Sequence, residues 1–454
     1  MKIKYLLYIT RVFFILFILP CVVYSQIGKQ FLSERKLVKD PVTGSMLTFL
    51  TSKPAGDSKI YQTHSQWTAD GDWLIFRSNR ARNEAIAVNE KSGDMIQVTE
   101  GGYTGMLCIA RKSMKLYFMR NASKDTSLRR NMPMVILEVD LENLFKDSKA
   151  GTLKPVSVYQ RVCGTIAGEI GAGSDMALDA DEGFVYFRVG RTEAAKHLAP
   201  DTKIEKAFGP RNMGAGPAGL MSMNIKNGEL KYIISVPFQI GHVQTNPWAP
   251  GEIVFCWETG GKSPQRTWIV MADGTGLHPL YPESEYEWVT HEAVITKDEV
   301  AIAIMGHRKI PGTDKSTAPG TSVSGANPGQ ETAWGTSGTR EKPTGLGIVN
   351  LRTREMVIIG QTPSGSGLWH VNGSPDGRWA VGDDFKRNIY LIDRKTREMI
   401  LLSAGHKETA ADHPHPTFSA DSKKIEIQSA MLSDDNRSMN ICIIPVPEEW
   451  LKRK

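Results

Sequence analysis

Histidines at matching points of a repeated pattern are the residues of this chain best suited to chemistry. Each precedes a polar turn and an apolar strand, and they are His64, His242, His291, His370 and His413. His415 follows His413 by two residues, so both side chains point the same way if the segment is extended. A His-x-His pair with a third histidine is a common ligand set, because neutral imidazole nitrogens suit divalent transition metals. These spacings therefore predict a metal site.

A sequence repeat supplies the elements that would position these histidines. Its copies begin with a polar turn and an apolar strand, and they run HSQWTADGDWLIFRSNR, CIARKSMKLYFMRN, MALDADEGFVYFRVG, TNPWAPGEIVFCWETG, AVITKDEVAIAIMGH, VNGSPDGRWAVGDD and PTFSADSKKIEIQSA. Each copy continues into a further strand, turn and strand, at the period of about 40 to 45 residues that is typical of propeller blades. Seven copies predict an all-β, seven-bladed β-propeller. Tandem sandwiches are the alternative, but they would not reuse one turn pattern at one period.

In a propeller, these histidines would all lie near the central axis. Equivalent positions of the blades meet at the central axis, which brings together residues that are far apart in sequence. Any one histidine, taken alone, is more often a structural hydrogen-bonding group; the position shared by several favours a site. We expect the ring to close through an early strand near residues 46–50 that pairs with the last blade, leaving few exposed sheet edges.

The first 25 residues have the pattern of a secretory signal peptide. Two lysines precede an apolar stretch that ends at Val23, and small and polar residues follow. We therefore predict a signal peptide at 1–25, a single propeller domain over 26–454, and secretion to the periplasm. A membrane anchor is the alternative, although the apolar run is short for a span, and a lipid on Cys21 is another. No later stretch has about 20 consecutive apolar residues, so we expect no membrane span in the mature chain.

Two segments interrupt the repeat and are predicted to be long loop insertions, near 193–219 and near 308–343. Both are rich in residues that favour turns, and such loops either shape a binding mouth or are plain decoration. Four cysteines follow the predicted signal peptide with spacings typical of neither a zinc site nor a disulfide framework, so we expect buried free thiols: Cys108, Cys163, Cys256 and Cys442.

The net charge and the absence of certain motifs limit the classes of ligand and cofactor that this chain is expected to bind. The formal net charge of +6 suits an acidic small ligand but is too small to argue for nucleic acid. No Rossmann or P-loop pattern is evident, and no hydride cofactor is expected. The oligomeric state is not indicated by the sequence.

Four segments resemble the oligogalacturonate lyases, a family of β-propeller enzymes that degrade pectin. The resemblance runs from about Lys59 to Pro447, and it is carried by IGHVQTNPWAPGEIVFCWETG with Arg266-Thr267-Trp268, by EWVTHE, by LWHVNGSPDGRWAVGDD and by DHPHPTFSADSKKIEIQS. These motifs occur in the family's order and blade phase. The resemblance implies a metal-dependent lyase that acts on an acidic oligosaccharide.

The resemblance also implies roles for individual residues. His291, His413 and His415 match the family's manganese ligands, so the expected cofactor is a divalent metal, Mn²⁺. His242 matches the catalytic base, and Arg266 is expected to bind a substrate carboxylate. The remaining predicted substrate contacts are His370, which could instead support the ligands, and His64.

Two positions depart from the family pattern. The family has a glutamine ligand three residues before the first histidine of HPHP, where this chain has Ala410; water, Glu408 or Asp412 could replace it. The family also has an arginine near the segment that reads Pro217-Ala218-Gly219-Leu220 here. We predict that Arg188 or Arg191 supplies this charge from a neighbouring blade.

Elimination at a uronic acid requires the proton at C5 to be removed and the oxygen at C4 to leave. A metal ion and Arg266 would neutralise the carboxylate next to C5, and a neutral imidazole at His242 could accept the proton. Three alternatives remain open. They are a lyase for another uronate such as ulvan or rhamnogalacturonan, a non-catalytic envelope propeller, and a hydrolase with carboxylates at Asp383, Asp384 or Glu292.

Overall fold

Seven β-sheets make up nearly all the regular structure of this chain. A computed structural model describes residues 26–123, 132–173, 175–207, 213–259, 263–283, 287–307, 344–362 and 367–453. Each sheet has four or five antiparallel strands, and every sheet corresponds to one copy of the repeat. The predicted all-β, seven-bladed propeller is therefore confirmed.

The first three blades follow the chain in order. Blade 1 contains β1 (Gln30–Phe31), β4 (Ser58–Lys59), β5 (Trp73–Ser78), β6 (Glu84–Asn89) and β7 (Met95–Gln97). Blade 2 contains β8 (Thr104–Ile109), β9 (Lys115–Asn121), β10 (Met134–Asp140) and β11 (Gln160–Ile166). Blade 3 contains β12 (Met176–Leu178), β13 (Phe184–Val189), β14 (Ala215–Asn224) and β15 (Leu230–Phe238).

The next three blades have four strands each. Blade 4 contains β16 (Ile240–Thr245), β17 (Glu252–Trp257), β18 (Thr267–Met271) and β19 (His278–Pro279). Blade 5 contains β20 (Glu287–Thr296), β21 (Glu299–His307), β22 (Thr344–Asn350) and β23 (Met356–Gly360). Blade 6 contains β24 (His370–Gly373), β25 (Trp379–Asp383), β26 (Ile389–Asp393) and β27 (Met399–Ser403).

Blade 7 closes the ring by joining the two ends of the propeller. It contains β2 (Lys36–Lys39), β3 (Met46–Phe49), β28 (Thr417–Phe418), β29 (Lys424–Ser429) and β30 (Asn440–Pro445). Strand β3 pairs antiparallel with β30, where Thr48 faces Ile443 and Phe49 faces Cys442. The prediction that an early strand near 46–50 closes the ring is confirmed, and the pairing covers an edge of each partner strand.

The repeated turn has a simple physical origin. A hydroxyl side chain donates to an aspartate two residues later at 2.6 Å in three blades, from Thr68, Ser374 and Ser419. Each hydroxyl oxygen also accepts the backbone N–H of the residue five positions on, which begins the returning strand. These local bonds favour a turn over continued strand, which explains why the same residue types recur at the same phase.

The innermost strands of the blades surround the axis, and apolar side chains fill the space between neighbouring blades. Those of blades 2 to 7 contact one another in order around the ring, and they are β8, β12, β16, β20, β24 and β28. Between blades 6 and 7, for example, the buried indoles of Trp379 and Trp450 lie 5.4 Å apart. Because each sheet packs against two neighbours, the inner strands are held rigidly, which suits them to carry a site.

Helices are short, and the first and the last of them pack aromatic side chains against the blades. They are α1 (Leu141–Ala150), α2 (Val156–Tyr159), α3 (Arg191–Ala195) and α4 (Glu448–Leu451). Helix α1 begins at an Asp140 cap, ends at a left-handed Gly151, and stacks Phe145 on Trp73 at 4.4 Å. No helix within the described ranges is long and apolar enough to cross a membrane.

Four further sequence predictions concern the cysteines, the two loop insertions and the signal peptide. The four cysteines of the described chain are buried and free, as predicted. The described part of the segment 193–219 includes the end of α3 and the start of β14, and its described residues outside helix and strand are 196–207 and 213–214. The predicted signal peptide at 1–25 and the insertion at 308–343 lie outside the described residues.

Candidate functional site

Five histidines meet at one end of the axis because the inner strands of blades 4 to 7 deliver them there. His242 lies in β16, His291 lies in β20, and His370 is the first residue of β24. His413 and His415 lie just before β28. The pairing register shifts next to His242 and His291, and the backbones of His242 and His415 have φ values of 49° and 52°. Bulges and left-handed residues of this kind redirect side chains at functional sites.

Four of these imidazoles form one compact cluster, which we call the histidine cluster: His291, His370, His413 and His415. The ring of His370 contacts the other three, with centroids 3.7 Å from His415, 4.3 Å from His291 and 5.2 Å from His413. Burial and the neighbouring His415 lower the pKa of His370 to about 3, and burial lowers those of His291 and His415 as well. Neutral imidazoles are the form that binds metal ions.

Asp383 holds two members of the histidine cluster. Its Oδ1 lies 3.2 Å from Nδ1 of His370, and its Oδ2 lies 2.9 Å from Nδ1 of His413. Burial would raise the pKa of Asp383, but the two imidazoles outweigh it and hold the pKa well below its usual range. A carboxylate on Nδ1 fixes the tautomer and leaves Nε2 for a metal, an arrangement common around metal ligands.

Asp412 lies beside His415 on the side that a metal ion would use. Nδ1 of His415 is 2.8 Å from Oε1 of Gln62, and its Nε2 is 3.0 Å from Oδ2 of Asp412. Asp412 and Glu408, the other candidate to replace the missing glutamine ligand, both have exposed side chains, so the contact with His415 is what distinguishes Asp412. Of the two carboxylates, Asp412 is therefore the one placed to share an ion with His415.

His291 provides a direct test of whether the cluster suits a metal ion. Its Nδ1 is buried and has no hydrogen-bond partner within the described part of the chain, while its ring packs edge-on to Trp369 at 4.7 Å. Buried polar atoms nearly always have a partner, so an unpaired imidazole nitrogen beside three other imidazoles needs an explanation. A histidine that coordinates an ion provides one, and the cluster fits a divalent transition metal.

His242 has different surroundings from the histidine cluster. Its Nδ1 is 2.8 Å from Oε1 of Glu292, and its Nε2 is 3.3 Å from Oε2 of Glu258. Burial lowers the pKa of His242, but the charge and hydrogen bond of Glu292 and the charge of Glu258 outweigh it, so the pKa is raised. Both carboxylates favour the protonated form, so His242 binds a proton more strongly than an ordinary histidine does.

Arg266 joins the same group of charges. Its Nε donates to Oε2 of Glu292 at 3.1 Å, and its Nη2 lies 3.6 Å from Oε2 of Glu258 and 3.3 Å from Nδ1 of His242. The guanidinium is buried between these carboxylates, so it holds them in place as well as adding positive charge to the site. A substrate carboxylate would have to share it with Glu258 and Glu292.

A second set of possible ligands adjoins this group but is poorly suited to a cation. His242, Cys256 and Glu258 place one ligand atom each within 4.8 Å of one another. Burial raises the pKa of the Cys256 thiol well above its usual value, which disfavours the thiolate that binds metals. The guanidinium of Arg266 already supplies the positive charge there. The histidine cluster is therefore the better metal site.

The other predicted contacts lie apart from the cluster. His64 bonds through Nε2 to the carbonyl of Met176 at 2.8 Å and through Nδ1 to Thr63, and burial lowers its pKa to about 4. Both of its ring nitrogens are thus used by the fold. His64 remains a substrate contact only as a prediction.

Arg188 and Arg191 belong to blade 3 itself and not to a neighbouring blade. Arg188 on β13 lies opposite Leu220 on β14, and Leu220 belongs to the segment where the family's arginine is missing. The Nε of Arg188 is 3.1 Å from Asp175. Arg191 begins α3, is exposed, and donates to the carbonyl of Ala215 at 3.0 Å. Arg188 is therefore the better placed of the two to replace the missing arginine.

Aromatic residues that the sequence patterns did not single out complete the site. The ring of Tyr61 lies 5.1 Å from His242 and 5.2 Å from His415, so it bridges the two groups. Trp369 packs against His291 and Phe385. Trp369 could have been predicted as a site residue because it directly precedes His370. Tyr61 could not, because it lies three residues from His64 and the direction of its side chain depends on the local backbone.

The fold and the site define a seven-bladed propeller with a metal-competent histidine cluster beside a histidine that lies between two carboxylates. No protein-family model matches the chain, and no curated protein sequence matches it. The solved structures that match nearly its whole length include two oligogalacturonate lyases. An oligogalacturonate lyase in complex with manganese is 19% identical with a TM-score of 0.67, and the match covers 94% of this chain and 100% of that chain. An oligogalacturonate lyase from Vibrio parahaemolyticus is 18% identical with the same TM-score and the same coverage. The resemblance predicted from the motifs is thus confirmed for the fold.

Proposed function

We propose that this protein is a metal-dependent polysaccharide lyase that cleaves uronic-acid oligosaccharides by β-elimination. The observation that carries the proposal is the pairing of the histidine cluster with His242, one group suited to a cation and the other to proton transfer. An oligogalacturonate lyase in complex with manganese shares the fold, which supports galacturonate as the first substrate to test and Mn²⁺ as the first metal.

The metal ion would be held by His291, His413 and His415. Asp412 replaces the glutamine that is missing at Ala410, because its carboxylate lies 3.0 Å from Nε2 of His415. His370 contacts all three histidines and serves as a further ligand or as a substrate contact. When bound, such an ion neutralises the substrate carboxylate and so stabilises the negative charge that develops at C5 and on that carboxylate.

His242 is the proposed base. Its unprotonated form accepts the C5 proton, and the C4 oxygen then leaves as the double bond forms between C4 and C5. Glu292 accepts a hydrogen bond at Nδ1 and so stabilises the imidazolium that results. Arg266 keeps Glu292 and Glu258 in place and shares its charge with the substrate carboxylate. Arg188 is proposed as a further contact for an acidic sugar.

The hydrolase alternative has little support from the carboxylates involved. Asp383 is engaged by His370 and His413, and Glu292 is engaged by His242 and Arg266. Asp384 accepts backbone N–H groups in its own turn and a side-chain bond from Asn388. Paired carboxylates acting on a glycosidic bond would need one free nucleophile or base and one proton donor.

The proposal extends to where the protein acts. The pattern at 1–25 predicts export, so the proposed site of action is the periplasm, on oligosaccharides that have entered it. Expression of the full chain followed by sequencing of the exported protein's N-terminus tests this part, and the expected first residue is Gln26. An unprocessed chain in the cytoplasm would contradict export without affecting the chemistry.

Metal analysis and an elimination assay on the same protein test the function. Purified protein should contain a stoichiometric transition metal, and oligogalacturonates should yield unsaturated products that absorb ultraviolet light. A panel with ulvan and rhamnogalacturonan oligosaccharides separates galacturonate from the other uronates. Protein that carries no stoichiometric metal and cleaves no uronate would support the non-catalytic propeller. Product that forms without unsaturation would support the hydrolase.

A further inference from the structure

Two of the proposed metal ligands lie in a part of the chain that is neither helix nor strand. Residues 404–416, which carry His413 and His415, connect β27 to β28, and the backbone of His415 has a φ of 52°. The positions of these ligands, and of Asp412 beside them, therefore depend on contacts with neighbouring elements. Strand β29 provides one such contact, because the backbone N–H of Gln428 donates to the carbonyl of Pro414 at 3.0 Å.

The side chain of Gln428 bonds to the same segment at two further points. Its Nε2 donates to the carbonyl of His413 at 2.7 Å and to Oδ2 of Asp412 at 3.3 Å. Its Oε1 accepts the backbone N–H of Lys59, in β4 of blade 1, at 3.1 Å. Because Gln428 is only 2% exposed, water has little access to replace these bonds if the amide is removed. The amide thus ties the ligand-bearing segment to blades 1 and 7 together.

Asp412 shows what this arrangement achieves. Its side chain is 52% exposed, and an exposed carboxylate is ordinarily free to adopt several rotamers. Here both oxygens are engaged. Oδ1 accepts the backbone N–H of His413 at 2.8 Å, while Oδ2 lies 3.0 Å from Nε2 of His415 and accepts the bond from Gln428. Gln428 therefore opposes rotation of the carboxylate away from the histidine cluster.

We propose that Gln428 is a positioning residue of the metal site, which holds Asp412 and the backbone of His413 so that Asp412 can replace the ligand missing at Ala410. The inference rests on the metal site of the proposed function. None of the side-chain hydrogen bonds of Gln428 within the described chain involves an imidazole ring. Its effect on a bound ion passes through the atoms that it holds, as is usual for residues that support metal ligands.

Metal affinity tests the proposal without reference to activity, by chelator competition with Mn²⁺ and by the visible spectrum of Co²⁺-loaded protein. Gln428→Met keeps the length of the side chain but removes the donor and the acceptor. Affinity should fall by about tenfold or more, and the spectrum should change because the ligands are no longer held in the same geometry.

Gln97→Met is the matched control for the loss of a buried amide. Gln97 is fully buried in β7, three strands away from β4 in blade 1, and its Nε2 donates to the carbonyl of Thr99 at 2.7 Å. Because a buried partner is left unpaired in each case, both variants should lower the melting temperature. Only Gln428→Met should change the metal affinity and the Co²⁺ spectrum. A general loss of stability would move neither readout.

A milder variant keeps the test decisive if Gln428→Met does not fold. Gln428→Asn retains an amide but shortens the side chain by one methylene, so the metal affinity should fall by less than in Gln428→Met. Unchanged affinity in Gln428→Asn, or an equal loss in Gln97→Met, would overturn the proposal. Stoichiometric metal without cleavage of any uronate by the unaltered protein would contradict the proposed lyase and leave this inference standing.

Discussion

The two histidine groups at the end of the axis have opposite electrostatic surroundings. In the histidine cluster, burial and neighbouring imidazoles lower the pKa of His291, His370 and His415. At His242 two carboxylates raise it. The same residue type, delivered by the same kind of strand, is therefore prepared for two different tasks. Neutral rings suit a cation, and a ring that binds a proton strongly suits acid–base chemistry.

The number of carboxylates per imidazole helps to explain why the pKa of His242 is raised while those of three cluster histidines are lowered. Asp383 is shared by two imidazoles, so its single charge is divided between His370 and His413. His242 is alone between Glu292 and Glu258, with Arg266 reducing but not cancelling their effect. Function in this fold thus depends less on the histidines than on which acids the neighbouring strands bring to them.

The largest expected effect is on catalysis, through His242. His242→Ala should lower kcat for elimination by roughly 10² to 10⁴-fold, the usual contribution of a general base, while metal content stays unchanged. His278→Ala is the matched control, because His278 lies in β19 at the other edge of the same blade. Elimination rates with metal analysis of each variant provide the measurement. Loss of metal in His242→Ala would mean that the two groups are one site.

The next largest effect is expected on metal binding by the histidine cluster, through Asp383. Asp383→Asn removes the charge that orients His370 and His413, so metal affinity should fall by about 10 to 100-fold. Competition with a metallochromic chelator measures this without reference to activity. Asp384→Asn is the control, since the adjacent Asp384 binds its own turn and Asn388 and should leave affinity unchanged. Equal losses in the two variants would show a structural effect and not a metal-site effect.

The sequence was sufficient to predict the fold and the meeting of the histidines at the axis, but it did not predict which carboxylates contact those histidines. Seven copies of one turn pattern predict the blades, and equivalent positions in a ring must meet at the axis. Asp383 was visible only as one of the carboxylates of the hydrolase alternative, although it lies directly opposite His370 in the pairing of β24 and β25. Recognising the bond requires the hairpin register together with both side-chain rotamers.

The directions of individual side chains show the same limit. The repeat places His64 with the other histidines, but its ring bonds to Met176 of blade 3 and to Thr63 beside it. The bulge at His242 and the left-handed backbone of His415 decide where those rings point. Such deviations from regular strand arise from tertiary packing, which no local sequence pattern records.

The pH dependence of elimination should report the acids around His242. A base must be unprotonated, so kcat/KM should rise with pH through the pKa of His242, which lies above its usual value of about 6.5. Glu292→Gln removes the charge that contributes most to this shift, so the rise should move to lower pH. Glu258→Gln should move it less, because Glu258 contributes less. Profiles of kcat/KM measure both, and an unchanged profile in Glu292→Gln would show that another group titrates.

The smallest effect is expected where the chain departs from the family pattern. If Asp412 supplies the ligand that Ala410 lacks, Asp412→Ala should reduce metal affinity by a few-fold to about tenfold, less than Asp383→Asn, because one of several ligands is lost and water can replace it. Adding Ala410→Gln to Asp412→Ala should recover part of the loss, since the glutamine restores an oxygen ligand. Chelator competition measures both variants. Full affinity in Asp412→Ala would instead mean that four imidazoles suffice, with His370 as the fourth ligand, and would remove Asp412 from the site.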